Sequence, residues 1–290
     1  MLRETLLILI STPLYVAVIL LEMLLSHFHG LRYYSKKETL HNLLLMLANG
    51  VLDLLTRGLT LGFLLYLYQY RFFSPPAGWL YWFYLALAVD FMYYWLHRLD
   101  HSCRLFWAVH VTHHSSEEFN FTTGFRSSVF QPLYRFIFYI PLPLLGFDVL
   151  DIVFMHSFLQ IFGILVHTQL FNSIPVLEWV MVMPTHHRVH HASNVRYLDR
   201  NLAQVFIIWD RLFGTFQAER TDDPPVFGLT KPAPKDTAYQ VIFHEWEQLR
   251  QDMRQAPDWH TRWRYLWQAP GWRHDGTGKT ARDLRREQNL

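Results

Sequence analysis

Residues 78–114 read GWLYWFYLALAVDFMYYWLHRLDHSCRLFWAVHVTHH. From Gly78 to Leu96 the stretch is almost wholly apolar, broken by one charge at Asp90, and it then delivers His97, His101, His110, His113 and His114. On a helix turning about 100° per residue, His97 and His101 stand about 40° apart on neighbouring turns. Offsets of three and four put His110, His113 and His114 on one stripe of a second helix. A second HxxHH follows at His187, His190 and His191. An apolar helix that ends in grouped imidazoles predicts a membrane protein with metal chemistry at the end of its spans.

Further apolar stretches lie on either side. Leu6–Leu25 has the length of a helix crossing about 30 Å of hydrocarbon and reads as retained, because its basic start is only Arg3 and no small-residue cleavage pattern follows. Leu40–Tyr70, Val129–Phe147 and Val149–Phe171 are comparably apolar, and prolines in 129–147 predict kinks or a re-entrant hairpin. The expected fold is an all-α integral-membrane helical bundle of about four to five apolar spans, capped by a histidine-rich di-metal site. Arg32, Lys36 and Lys37 follow the first span, so the positive-inside rule puts that connection, and with it all the histidine clusters, in the cytoplasm. The expected division is an N-terminal transmembrane region over 1–75, a catalytic domain over 76–217 and a polar cytoplasmic cap over 218–290. Within the cap, Ile242, Trp246, Leu249 and Met253 share one face of an amphipathic helix. Trp259, Trp263, Trp267 and Trp272, interleaved with Arg262, Arg264 and Arg273, suit an interfacial anchor or a tail packed on the catalytic domain.

Composition narrows the function. Half of the 290 residues are hydrophobic (51%) and 17% aromatic, so the mean hydropathy of +0.05 averages a membrane half with a polar half. A net charge of +2 and the lack of a basic run argue against nucleic acid. With Cys103 the only cysteine, any metal must be held by nitrogen and oxygen. Arginine outnumbers lysine 21 to 5, which hints at a bacterial source and hence the inner membrane.

Seventeen histidines are the feature to explain. A lone histidine in an apolar helix is ordinarily a hydrogen-bonded core residue, and His27, His29 and His41 are read that way. Three clusters of matching spacing beside apolar spans are costly unless metal or hydrogen bonds compensate them. Neutral imidazole suits iron, zinc or copper, and eight or more such ligands exceed the need of one ion. His156, Gln160 and His167 fall within about 20° to 40° of one another on the last apolar helix. Of these, His167 is nearest the cytoplasmic end and is a further ligand candidate, while His156 and Gln160 lie deeper, where a lipid chain would enter a substrate pocket. Asp90, Asp199 and Asn201 are the candidate catalytic-site neighbours, acceptors that fix a ligand tautomer. His186 stands beside the last cluster as either ligand or donor.

The set His97-Arg-Leu-Asp-His101, His110-Val-Thr-His113-His114 and His187-Arg-Val-His190-His191 resembles the fatty acid hydroxylase and sterol desaturase superfamily over about residues 79–217. HHSSEEFN at 113–120, THHRVHH at 185–191 and IIWDRLFGTF at 207–216 are similar to the alkylglycerol monooxygenase branch. That resemblance implies a di-iron centre (with zinc able to take its place on purification), molecular oxygen, an external reductant and hydroxylation of a membrane lipid. In the alkylglycerol branch it implies an ether lipid as substrate and tetrahydrobiopterin as the reductant. The family ligands map onto His97, His101, His110, His113, His114, His167, His187, His190 and His191. Ser102 and Ala203 depart from that branch, which carries an acidic residue and a glycine at those positions.

Two other classes compete. A metal transporter would distribute ligands through the membrane and not mass them at one end, and a membrane cytochrome needs only an axial pair per haem. A desaturase would share metal and oxygen and differ only in product.

Overall fold

The computed structural model describes residues 2–290. Two long helices come first, α1 over Leu2–Phe28 and α2 over Lys36–Tyr68, the latter started by Ser35, whose side chain accepts from the Glu38 backbone N–H. Both are long and apolar enough to cross a membrane. Their outward side chains are bare: Ile10 is 70% exposed, Leu54 71% and Leu59 79%. Such a belt of aliphatic surface is stable against hydrocarbon and not against water, so the chain is an integral membrane protein.

Helix α3, Trp79–Ser102, is the buried axis of the molecule, with Leu85, Val89, Tyr94 and Leu96 fully covered. It breaks at Cys103 into α4, Arg104–His114. The segment 129–147, read from sequence as a kinked or re-entrant apolar stretch, is a 3₁₀ turn at Gln131–Leu133 followed by two short helices, α5 (Arg135–Tyr139) and α6 (Pro141–Leu144). Pro132, Pro141 and Pro143 each withhold a backbone N–H, so one unbroken helix cannot form. Gly146 then turns the chain at φ 84°, where an added Cβ would stand 2.2 Å from the Phe73 carbonyl oxygen, a position only glycine can take. Next, α7 covers Val149–Leu165 and not the full 149–171; Asp148 caps it through the Leu150 and Asp151 N–H groups. Leu85, Val89, Leu142, Ile152 and Leu159 form the main core between α3, α6 and α7.

Polar ties join the ends of these helices. The buried Glu22 of α1 accepts from Phe121 N–H at 2.8 Å and from the Thr168 and Tyr34 hydroxyls. Arg126, wholly buried, donates to Glu38 and Asn42 of α2 and to the Thr112 carbonyl of α4 at 2.9–3.1 Å. The C-terminal ends of α1, α3 and α7 and the start of α2 thus gather at one end of the bundle. Short helices α8 (Pro184–His191) and α9 (Ile208–Phe213) close over it. Beyond them, α10 (Ala238–Gln255), opened by a Thr237–Gln240 capping box, and α11 (Trp259–Trp267) pack on α4. Arg104 donates to Glu245 at 2.9 Å and Asp252 at 2.7 Å, and Cys103 Sγ to the Leu266 carbonyl. Trp259 and Trp263 remain exposed, and α12 covers Ala281–Glu287. Among the described residues no β-strand forms, only isolated bridges such as Met181 to Phe206.

Candidate metal centre

Nine histidines meet where the helix ends converge. His97 and His101 come from the last turns of α3, His110, His113 and His114 from α4, His167 from just beyond α7, and His187, His190 and His191 from α8. They sort into two sets in which one ligand atom per ring lies within 4.8 Å of all the others: His97, His101, His110, His114 and His190, and His113, His167, His187 and His191. The sets adjoin, with the His113 and His191 rings 4.5 Å apart and the His114 and His191 rings stacked at 4.6 Å.

The protonation pattern of these rings tests whether metal fits. Backbone carbonyls can only accept, and four of them receive the Nδ1 proton of a histidine: Leu202 from His97 at 2.7 Å, Arg126 from His113 at 2.9 Å, Gly163 from His167 at 2.8 Å and Arg200 from His190 at 3.0 Å. A neutral imidazole has one proton, so each of these four presents a bare lone pair at Nε2. His97 Nε2 lies 3.0 Å from His110 Nε2, and His167 Nε2 lies 2.9 Å and 3.2 Å from the Nε2 atoms of His187 and His191. The Nε2 atoms of His101, His114 and His190 are buried without a hydrogen-bond partner. Massed lone pairs and orphaned buried nitrogens cost free energy that a shared cation recovers. Burial and the neighbouring rings keep His114, His187, His190 and His191 well below the usual imidazole range, and burial brings His113 down to about 4. All five are therefore neutral at pH 7, the form in which an imidazole can ligate. The donor set, all nitrogen and without thiolate, suits iron, zinc or copper.

The supporting residues differ from expectation. Asp199 touches a ring: its carboxylate accepts from His101 Nδ1 at 3.3 Å. Asp90 touches no histidine. Its carboxylate is taken up by the Val205 and Phe206 N–H groups and the Trp209 indole, each at 3.0 Å, donors that would otherwise be unpaired inside the core. Asn201 likewise misses the rings; its Nδ2 donates to the His186 and Gln217 carbonyls and ties down the start of α8. His186 belongs to neither set. It accepts from the Met183 N–H at 3.1 Å, capping α8 from within, and burial lowers it to about 4.

Sequence reasoning passed over three residues. Asp210 accepts from the Leu202 and Ala203 N–H groups at 2.7 and 2.9 Å and so places the carbonyl that orients His97. Asp100, inside the HRLDH motif, accepts from Gln131 and Tyr134 and lies 3.7 Å from His110 Nδ1. Arg126 fixes the loop whose carbonyl orients His113. Asp100 carries a readable signal, a carboxylate one residue before a ligand; the other two show theirs only in the fold.

Beside the rings, between α3 and α7, lies a cavity of about 50 Å³. Gln160 stands on its wall with Gln204, Gly163 and His167. His156, the other residue expected there, lies outside it: its Nδ1 pairs with the Tyr139 hydroxyl at 2.8 Å, more than two turns of α7 before the helix end that leads to His167.

A family model described as fatty acid hydroxylase matches residues 82–215. Among curated relatives, the alkylglycerol monooxygenase of Homo sapiens is 35% identical over 96% of this chain and 62% of its own length. That of Danio rerio is 34% identical over 90% and 59%. Ornithine lipid hydroxylase OlsE of Rhizobium tropici is 26% identical over 54% and 48%. The chain spans about six tenths of the length of these two alkylglycerol monooxygenases. No solved structure matches it.

Proposed function

We propose, from the match of residues 82–215 to the fatty acid hydroxylase model, that the chain is a membrane lipid monooxygenase whose nine clustered histidines hold two iron ions. The observation that carries this reading is the pair of adjoining histidine sets, five and four, with Nδ1 protons committed to carbonyls and Nε2 atoms facing inward. Iron so bound would supply the activation of molecular oxygen and the oxidation of an unactivated C–H bond. One oxygen atom enters the lipid, and the other leaves as water with two electrons and two protons from an external reductant.

The protein's part is placement. The Leu202, Arg126, Gly163 and Arg200 carbonyls and Asp199 hold the rings in one tautomer and one orientation. Closure of α8 and α4 over the site excludes bulk water. The cavity between α3 and α7 receives the carbon to be oxidised.

The finer reading is an ether lipid as substrate and tetrahydrobiopterin as reductant, in keeping with the alkylglycerol monooxygenases among the relatives. In the proposed topology α1, α2, α3 and α7 cross the membrane, residues 129–147 form a re-entrant turn, and the histidine end faces the cytoplasm of a bacterial inner membrane. The test is lipid analysis under ¹⁸O₂ of cells carrying the active protein, His113→Ala or His190→Ala. Active cells gain a lipid with one labelled oxygen atom, or the aldehyde from its breakdown, that both variants lack. A new double bond without label would turn the assignment to desaturation.

A further inference from the structure

Gln204 is 5% exposed, and its Nε2 donates to Gln160 Oε1 at 2.6 Å, which leaves its own Oε1 buried without a partner. Both amides stand on the wall of the 50 Å³ cavity beside His97, His113, His167 and His187. The backbone makes room for them. A Cβ at Gly163 would stand 3.0 Å from Gln204 Nε2, and one at Gly124 3.1 Å from His167 Nδ1.

From this we infer that the Gln160–Gln204 amide pair reads a hydroxyl on the lipid, with Gln204 Oε1 accepting the O–H proton of a group borne close to the carbon presented to the histidines. The inference rests on the lipid-monooxygenase reading and narrows its substrate class. A buried amide oxygen without a donor costs free energy until one arrives. The volume admits a few non-hydrogen atoms and no headgroup. A hydroxyl meets both limits, since it donates to the free Oε1 and fits the space. Gln160 acts through Gln204, holding its amide so that Oε1 and not Nε2 is left free.

The test measures binding without turnover, on iron-loaded protein in detergent kept free of oxygen. The probes are 2-hexadecyloxyethanol and ethyl hexadecyl ether, which differ only in the hydroxyl. Wild-type protein should bind the alcohol roughly tenfold more tightly than the ether. Gln204→Leu should lose that preference through weaker alcohol binding, at unchanged metal content. Gly163→Ala, which keeps both amides and presses on Gln204 Nε2, should erode it as well and serves where Gln204→Leu folds poorly. Equal binding of the two probes by wild type, or a preference that survives in both variants, overturns the inference. Admitting oxygen afterwards tests the chemistry separately: discrimination without any oxidised product sinks the monooxygenase reading and leaves the hydroxyl subsite standing.

Discussion

His101 is the one ligand candidate whose Nδ1 answers to a carboxylate alone, Asp199 at 3.3 Å. Asp199 sits at φ 55°, a left-handed conformation that glycine also adopts freely, so Asp199→Gly removes the acceptor without adding strain. The expected result is a loss of about ten- to a hundredfold in metal affinity, read by chelator competition. Unchanged affinity would show that His101 needs no such partner. Arg126 makes a different prediction. It is wholly buried with Glu38 as its ion-pair partner at 3.1 Å. Arg126→Met strands that carboxylate and should cost about 3–5 kcal/mol in unfolding experiments in detergent, much of it regained in the double variant with Glu38→Gln. No recovery in the double variant would assign the loss to the Thr112 and Asn42 hydrogen bonds instead.

Helices carry these residues into place, and their breaks matter as much as their lengths. Gly146→Ala drives a Cβ toward the Phe73 carbonyl at the entry to α7, whereas a Cβ at Gly50, in mid-α2, meets open space. The first should destabilise by a few kcal/mol and the second should be neutral or stabilise by up to about 1 kcal/mol. Thermal unfolding compares the pair, and equal effects would contradict the turn geometry. The histidine clusters were legible because spacings of three and four translate directly into a helix face. His167 was legible from its place at the end of the last apolar stretch, and not from its offset to His156, because α7 stops at Leu165 and His156 lies outside the site. The partners of Asp90 and Asn201 were not. Asp90 reads as a charge in an apolar span, yet its partners are main-chain N–H groups of residues 205 and 206, more than a hundred residues away, and any sequence has those. The carbonyls of Leu202, Arg126, Gly163 and Arg200 are hidden for the same reason: backbone oxygen leaves no mark in the residue type. In 129–147 the prolines were legible as breaks, and in the fold their missing N–H donors divide the segment into short helices.

Seen whole, the molecule is a lipid-facing pair of helices beside a buried α3–α7 core, with all nine histidines at one end. The basic residues Arg32 and Lys36 lie in or next to the α1–α2 connection at that same end, which ties the orientation of the site to the positive-inside rule. Cys103 is only 3% exposed and a poor reporter. A cysteine at exposed Arg32, on a Cys103→Ala background, should react with an impermeant thiol reagent only after cells are opened. Labelling of intact cells would place the site outside. Everything else depends on the two sets of rings holding two ions. Elemental analysis of the folded, detergent-purified protein should find two equivalents of iron, or of iron and zinc together, per chain. One equivalent or none in folded protein after iron supplementation would contradict the dinuclear centre, and the lipid chemistry proposed for it would fall with it.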